Sequence, residues 1–172
     1  MRKLGLVALA IAMSMGVPAE AGKRDWYVGI EGGIEFDGWG KGDTGWAGLA
    51  TLGKEITEHV SFEAELGYRS TTNVWWPIDI SQTSLMVNAV YDAQLTKEIG
   101  IELGIGAGVD RINFDYWFAD FEETEYAGQF KAGLTFALTE ETDLVASYRY
   151  VEMLSDSPVN NSTLTIGLRF AL

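Results

Sequence analysis

The sequence predicts an all-β protein, an eight-stranded antiparallel up-and-down transmembrane β-barrel. Apolar residues recur at every second position along most of the chain, and this is the period of a strand rather than of a helix. The alternating stretches number eight, and Pro77 and Pro158 both fall between them, where no ladder hydrogen bond is lost. The polar alternate positions combine charges with many glycines, as expected where long side chains crowd a narrow interior.

The first four predicted strands each place apolar residues on one face. They cover Trp26–Phe36, Trp46–Ile56, Val60–Arg69 and Leu85–Ala93. The third shows the pattern most clearly, because Phe62 and Leu66 alternate with Glu63 and Glu65. The second has two nearly neutral faces, and its length and position predict a strand.

The last four predicted strands repeat the alternation. They cover Ile99–Asp110, Tyr126–Leu138, Leu144–Val151 and Thr163–Leu172. The fifth contains Gly104, Gly106 and Gly108, which raises the alternative of a nucleotide-binding loop. A dinucleotide fingerprint needs a glycine where Val109 stands, and no Gly-Lys-Ser/Thr follows for a P-loop. The sequence therefore predicts that these glycines line a barrel wall.

The predicted connections are alternately short and long. Short ones lie near 57–59, 95–98 and 139–142, whereas longer ones span about Asp37–Gly45, Ser70–Thr83, Arg111–Glu125 and Glu152–Ser162. Membrane barrels of the bacterial outer membrane show this asymmetry, with an apolar band facing lipid and aromatic girdles at both interfaces. Large aromatic residues do occur toward the ends of the apolar face: Trp26, Phe36, Trp46, Tyr68, Tyr91, Phe136, Tyr148, Tyr150 and Phe170. The alternative is a soluble barrel with these side chains in its core.

The first residues have the pattern of a secretory signal peptide. Arg2 and Lys3 precede the mostly apolar run Leu4–Met15, and Ala19-Glu20-Ala21 is a small-x-small cleavage site. The predicted domains are a signal peptide over 1–21 and a barrel over 22–172. A formal net charge of −13 argues against nucleic acid, and the absence of cysteine means that no disulfide supports the fold.

Several strands resemble those of the small eight-stranded outer-membrane barrel superfamily, which includes the OmpA transmembrane domain and the opacity-type surface proteins. The similar segments are DWYVGIEGG, FEAELGYR, LMVNAVYD, SYRY and the C-terminal TLTIGLRFAL. The family usually ends in an aromatic residue, where this chain has Leu172. The resemblance implies a monomer in the outer membrane, contact with outer-membrane lipid and lipopolysaccharide, and recognition of the last strand by the barrel-insertion machinery. It does not imply one activity.

The inward face predicts a network of ion pairs filling the lumen, because an unpaired buried charge is costly. Its predicted members are Glu31, Glu63, Glu65, Arg69, Asp92, Glu102, Lys131, Arg149 and Arg169. Glu35 and Asp110 also point inward, so acids outnumber bases, and some carboxylates are expected near a mouth, hydrated or protonated. The alternative function is a narrow channel or proton path through the same residues.

The long connections are rich in aromatic residues: Trp39, Trp75, Trp76, Tyr116 and Trp117. They predict either a binding surface for an unidentified extracellular partner or an extension of the outer girdle into lipopolysaccharide. A lipid A-modifying enzyme would need a histidine at the outer rim, but His59 falls in a predicted turn at the other end. The sequence therefore predicts a structural or surface-interaction protein with no catalytic site, no metal and no cofactor.

Overall fold

Eight antiparallel strands follow one another along the chain in a computed structural model that describes residues 26–37, 44–72, 79–116, 119–154 and 160–172. The strands are β1 (Trp26–Asp37), β2 (Thr44–Thr57), β3 (Val60–Thr72), β4 (Asp79–Gln94), β5 (Ile99–Tyr116), β6 (Ala119–Ala137), β7 (Thr142–Met153) and β8 (Asn160–Ala171). Each strand pairs with its sequence neighbours, and β1 also pairs with β8 from Tyr27–Ala171 to Asp37–Asn161, which closes the barrel. The predicted fold class is confirmed.

The two faces of each strand have opposite environments. Glu63 and Glu65 on β3 are 1% and 0% exposed, whereas Phe62, directly before Glu63, is 50% exposed. On β5, Ile105 is 69% exposed and Glu102 is fully buried. Charged residues therefore point into the lumen and apolar residues point outward, so the alternative of a soluble barrel with an apolar core is wrong. Among the described residues, none forms a helix of the length and apolarity needed to cross a membrane.

The barrel has two distinguishable ends. The turn end carries the connections 58–59, 95–98 and 138–141, and the loop end carries 38–43, 73–78, 117–118 and 154–159. At the turn end, main-chain bonds close the connections, such as the bond from the Leu95 amide to the Ile99 carbonyl at 2.9 Å. The chain enters β1 and leaves β8 at this same end.

The strands reach further toward the loop end than the alternation predicts. The prediction of a long connection over Arg111–Glu125 is wrong, because β5 continues to Tyr116 and β6 begins at Ala119. Register pairs continue from Arg111–Thr124 to Tyr116–Ala119. Glu122, Glu123 and Thr124 are all exposed. On β5 the apolar residues change parity after Val109, because Ile112, Phe114 and Tyr116 take the alternate positions that carry Glu102 and Asp110. The alternation that identifies the strand up to Asp110 is therefore interrupted, although the strand continues.

Candidate functional site in the barrel lumen

Inward-facing side chains from all eight strands meet in the lumen because alternate residues of every strand point to the same face. The interior of an eight-stranded barrel is just wide enough for side chains to fill. Long side chains can therefore reach across it, and glycines on the wall make room for them. The predicted neighbours on β5 and β6 do meet, since Lys131 Nζ lies 3.0 Å from Glu102 Oε1.

Seven inward-facing residues form what we call the lumen charge network: Glu31, Glu63, Glu65, Glu102, Lys131, Arg149 and Arg169. Lys131 is the centre of its first half. Its Nζ lies 2.9 Å from Glu63 Oε2 as well as close to Glu102, and its side chain is 1% exposed. Arg169 donates to Glu102 Oε2 and lies 3.6 Å from Glu63 Oε1. Two bases thus alternate with two acids, and every charge has two neighbours of opposite sign.

Arg149 is the centre of the second half of the network. Its Nη2 lies 2.7 Å from Glu31 Oε1, and its Nε lies 2.9 Å from Glu65 Oε2. The hydroxyls of Ser147 and Thr165 each donate to Glu31 Oε2 at 2.6 Å. A single guanidinium therefore serves two carboxylates, and hydroxyl donors compensate the second negative charge.

Tyr27 and Arg169 cover the network at the turn end. The Tyr27 hydroxyl donates to Glu63 Oε1 at 2.9 Å, and the Arg169 guanidinium lies over the Tyr27 ring at 4.6 Å. A Cβ on Gly53 would lie 2.1 Å from Tyr27 Cζ, so only glycine at this position leaves room for the ring. Asp92 stands beyond them, 4.0 Å from Arg169 and 32% exposed. One of the excess acids is therefore placed at a mouth.

A small cavity of about 150 Å³ opens beside Asp92 at the turn end. Its acidic lining includes Glu55, Glu140 and Asp143, with Arg169 as a basic residue at its base. Beyond Tyr27 and Arg169, the interior is occupied by the network side chains.

Arg69 and Asp110 form a separate pair nearer the loop end. Arg69 Nη1 lies 3.6 Å from Asp110 Oδ2, and both side chains are fully buried. Arg69 also donates to the hydroxyls of Ser84 at 2.9 Å and Thr163 at 3.4 Å. Within the described residues, Arg69 Nη2 and both carboxylate oxygens of Asp110 meet no hydrogen-bond partner at normal geometry. This pair is less completely satisfied than the network.

Apolar side chains also occupy the lumen toward the loop end. Met86, Ala127 and Val151 form a buried cluster, and each is at most 1% exposed. They project inward from β4, β6 and β7, at the positions that the alternation assigns to the polar face. The lumen is therefore charged at its centre and partly apolar beyond it.

Sequence reasoning missed the neutral polar members of the site. Gln129 donates to Glu65 Oε1 and to Asn88 Oδ1, each at 3.1 Å. Ser147, Thr165 and Tyr27 were likewise absent from the predicted set. The signal that identifies them is their position, because each occupies an inward alternate of its strand, whereas an ionisable side chain alone does not mark them.

The predicted outer-loop aromatics are not part of the described site. Trp39, Trp75, Trp76 and Trp117 lie outside the described residues, and only the backbone of Tyr116, in β5, is described. His59 lies exposed in the turn between β2 and β3, with its ring 5.9 Å from that of Tyr91.

Comparison with known proteins identifies one family and several solved structures with a similar fold. Residues 5–170 match the outer membrane protein beta-barrel domain. The solved structures with a similar fold include Neisserial surface protein A, at 22% identity and a TM-score of 0.74, with 86% of this chain and 97% of that one covered. No curated protein matches the sequence significantly.

Two further structures share the fold at lower similarity. The N-terminal barrel of Pseudomonas aeruginosa OprF has 20% identity and a TM-score of 0.53, covering 84% of this chain and 97% of that one. The attachment invasion locus protein of Yersinia pestis, in complex with the heparin analogue sucrose octasulfate, has 19% identity and a TM-score of 0.51, covering 85% and 99%.

Proposed function

This chain belongs to the outer membrane protein beta-barrel domain family, and on that premise we propose that it is a non-conducting, non-enzymatic surface protein whose loop end meets extracellular partners. The family places it in the outer membrane, within lipid and lipopolysaccharide. The observation that carries the proposal is the filled lumen. Arg149 and Glu65 are 0% exposed and Lys131 is 1% exposed, so no continuous water-filled path passes between their side chains.

The energetic cost of opening the lumen supports a plug over a channel. A conducting path past Lys131 requires separating it from Glu63 or Glu102, and removing one partner of a buried pair costs about 3–5 kcal/mol. The apolar cluster of Met86, Ala127 and Val151 lies further along the same path. An ion would therefore have to pass the charged network and then the level at which the apolar cluster and the Arg69–Asp110 pair fill the lumen.

The orientation of the barrel is part of the proposal. Short turns face the periplasm and longer outer connections face the exterior in barrels of this class. The turn end therefore faces the periplasm, where the chain enters β1, and the loop end faces outward. Residues 1–21 act as a signal peptide in this scheme, residues 22–172 form the exported barrel, and β8 is the strand that the insertion machinery recognises.

The negative charge of this chain limits which extracellular partners it can bind. The Yersinia pestis protein was crystallised with a sulfated sugar, but this chain carries a formal net charge of −13. Described residues near its loop end include the acids Glu122, Glu123 and Glu152, all exposed. Like charges repel, so we assign the outer surface to neutral or basic partners rather than to polyanions.

Planar-bilayer conductance of the refolded protein tests the plug. The expected result is a bilayer no more conductive than one exposed to detergent alone. Heat-modifiable migration on a gel serves as the control for correct folding of the same sample. Reproducible unitary current steps from the folded fraction would instead establish the narrow channel and refute the plug.

A further inference from the structure

The hairpin of β5 and β6 extends past the strand that flanks it. The register of β6 with β7 runs only as far as the pair Ala127–Met153, and the Leu154 amide donates to the Tyr126 carbonyl at 2.8 Å. On the other side of the hairpin, β4 remains paired with β5 as far as Asp79–Asp115. Within the described part of the chain, β6 therefore has no neighbour on its β7 side from residue 125 back to its start at Ala119.

The open edge presents a regular row of main-chain groups. The Tyr126 carbonyl points toward β7, and the N–H and C=O of one strand residue point to the same side while the next residue's point to the opposite side. The main-chain groups of Thr124 and Glu122 therefore point away from β5, whereas those of Glu123 and Glu125 point toward it. An exposed edge of this kind is a template for another strand.

The side chains along the edge are acidic, so they favour a basic binding partner. Residues 111–125 contain one base, Arg111, and five acids: Asp115, Asp120, Glu122, Glu123 and Glu125. Arg111 pairs with Glu122 while both remain more than half exposed. The extension is therefore strongly negative, and Tyr126 at its base is 74% exposed.

We propose that the edge of β6 over residues 119–125 binds an extended, basic segment of an extracellular protein by strand addition. Main-chain hydrogen bonds to Thr124 and Glu122 supply the pairing, and alternate Lys or Arg side chains of the partner meet the carboxylates. A second copy of this chain is disfavoured, because pairing two such edges would place like charges opposite one another. This assignment rests on the proposed outward orientation of the loop end.

The test uses the full barrel refolded in lipid nanodiscs and a synthetic peptide in which lysine and threonine alternate. Saturating peptide should slow amide hydrogen exchange at Glu122 and Thr124 about fivefold or more, the ratio expected for a gained hydrogen bond. The amides of Glu123 and Glu125 should change little, because they already face β5. Equal protection of all four amides, or of none, would overturn strand addition.

Thr124→Pro removes an edge N–H without disturbing the bonds to β5, and Thr124→Val is its matched control. The proline variant should weaken peptide binding about fivefold or more, whereas the valine variant should bind like the wild type, with heat-modifiable migration confirming that both fold. Equal affinity of Thr124→Pro and wild type would refute the edge. So would tighter binding of sucrose octasulfate, of a glutamate–threonine peptide or of a second barrel than of the basic peptide. None of these results alters conductance, so this proposal and the lumen plug fail separately.

Discussion

Arg149 and Arg69 point into the same lumen from β7 and β3, and both are fully buried, yet their surroundings differ. Arg149 contacts Glu31 at 2.7 Å and Glu65 at 2.9 Å. Among the described residues, Arg69 has a single acidic partner, Asp110, at 3.6 Å, and its Nη2 has no hydrogen-bond partner. One guanidinium is part of a connected network, whereas the other is in a nearly isolated pair.

The difference shows that a buried ion pair does not by itself stabilise the fold. A buried pair repays its desolvation only when the geometry is good and the remaining hydrogen-bonding positions are satisfied. Arg149 meets both conditions, because the hydroxyls of Ser147 and Thr165 donate to its partner Glu31. Arg69 and Asp110 meet them only in part. We therefore expect the network to be essential to stability and the pair to be replaceable.

The largest expected effect comes from breaking the network at Arg149. Arg149→Met leaves Glu31 and Glu65 buried without their shared base, which should lower the unfolding free energy by about 3–5 kcal/mol. Urea unfolding in lipid vesicles measures the change. Adding Glu65→Gln to the same variant should recover part of the loss, because it removes one of the stranded charges. A neutral Arg149→Met would contradict the network.

A second prediction tests the premise that network and pair both lie inside a lipid belt. Leu103 points outward and is 48% exposed. Leu103→Arg should cost about 2–4 kcal/mol if the residue faces the bilayer interior, measured in the same vesicles. Leu103→Val is the matched control and should cost much less. If the arginine variant were as stable as the valine variant, the assignment of the outward face to lipid would fail.

Gly106 offers a third test, at a point on the wall between the network and the loop-end half. A Cβ there would lie 1.9 Å from Asn88 Oδ1, so Gly106→Leu should cost about 1–3 kcal/mol through overpacking. Gly128 is the matched control, since an added Cβ meets nothing within 4 Å, and Gly128→Leu should be nearly neutral. Equal stability of the two leucine variants would mean that the lumen is not crowded at Gly106. Saturable nucleotide binding by the wild type would revive the phosphate-loop alternative.

The smallest expected effect comes from replacing the isolated pair as a whole. Arg69→Met combined with Asp110→Val keeps a similar volume and removes both charges beside the apolar cluster. The unfolding free energy should fall by less than about 1 kcal/mol, or rise, as for other buried pairs replaced by apolar residues. A loss as large as that of Arg149→Met would show that the pair is as important to stability as the network, and would contradict the expectation that the pair is replaceable.

Much of this architecture could be read from the residues in order. The alternation of Phe62 and Leu66 with Glu63 and Glu65 determines which side chains face lipid and which face the lumen, because a strand has a period of two. The same argument predicts which ionisable residues point into the lumen. It did not identify Gln129 or Tyr27, because a neutral side chain at an inward position shows no need for a partner until its neighbours are known.

The sequence by itself determined the number of strands, the face of most strand residues and the inward position of the ionisable side chains. Only the tertiary structure decided which charge meets which. Glu31 and Arg149 are 118 positions apart, and their contact depends on the stagger of strands around the closed barrel, which no local pattern encodes. The extension of β5 and β6 was decided in the same way, because its ladder of pairs continues to Tyr116–Ala119 although the apolar alternation of β5 changes parity after Val109.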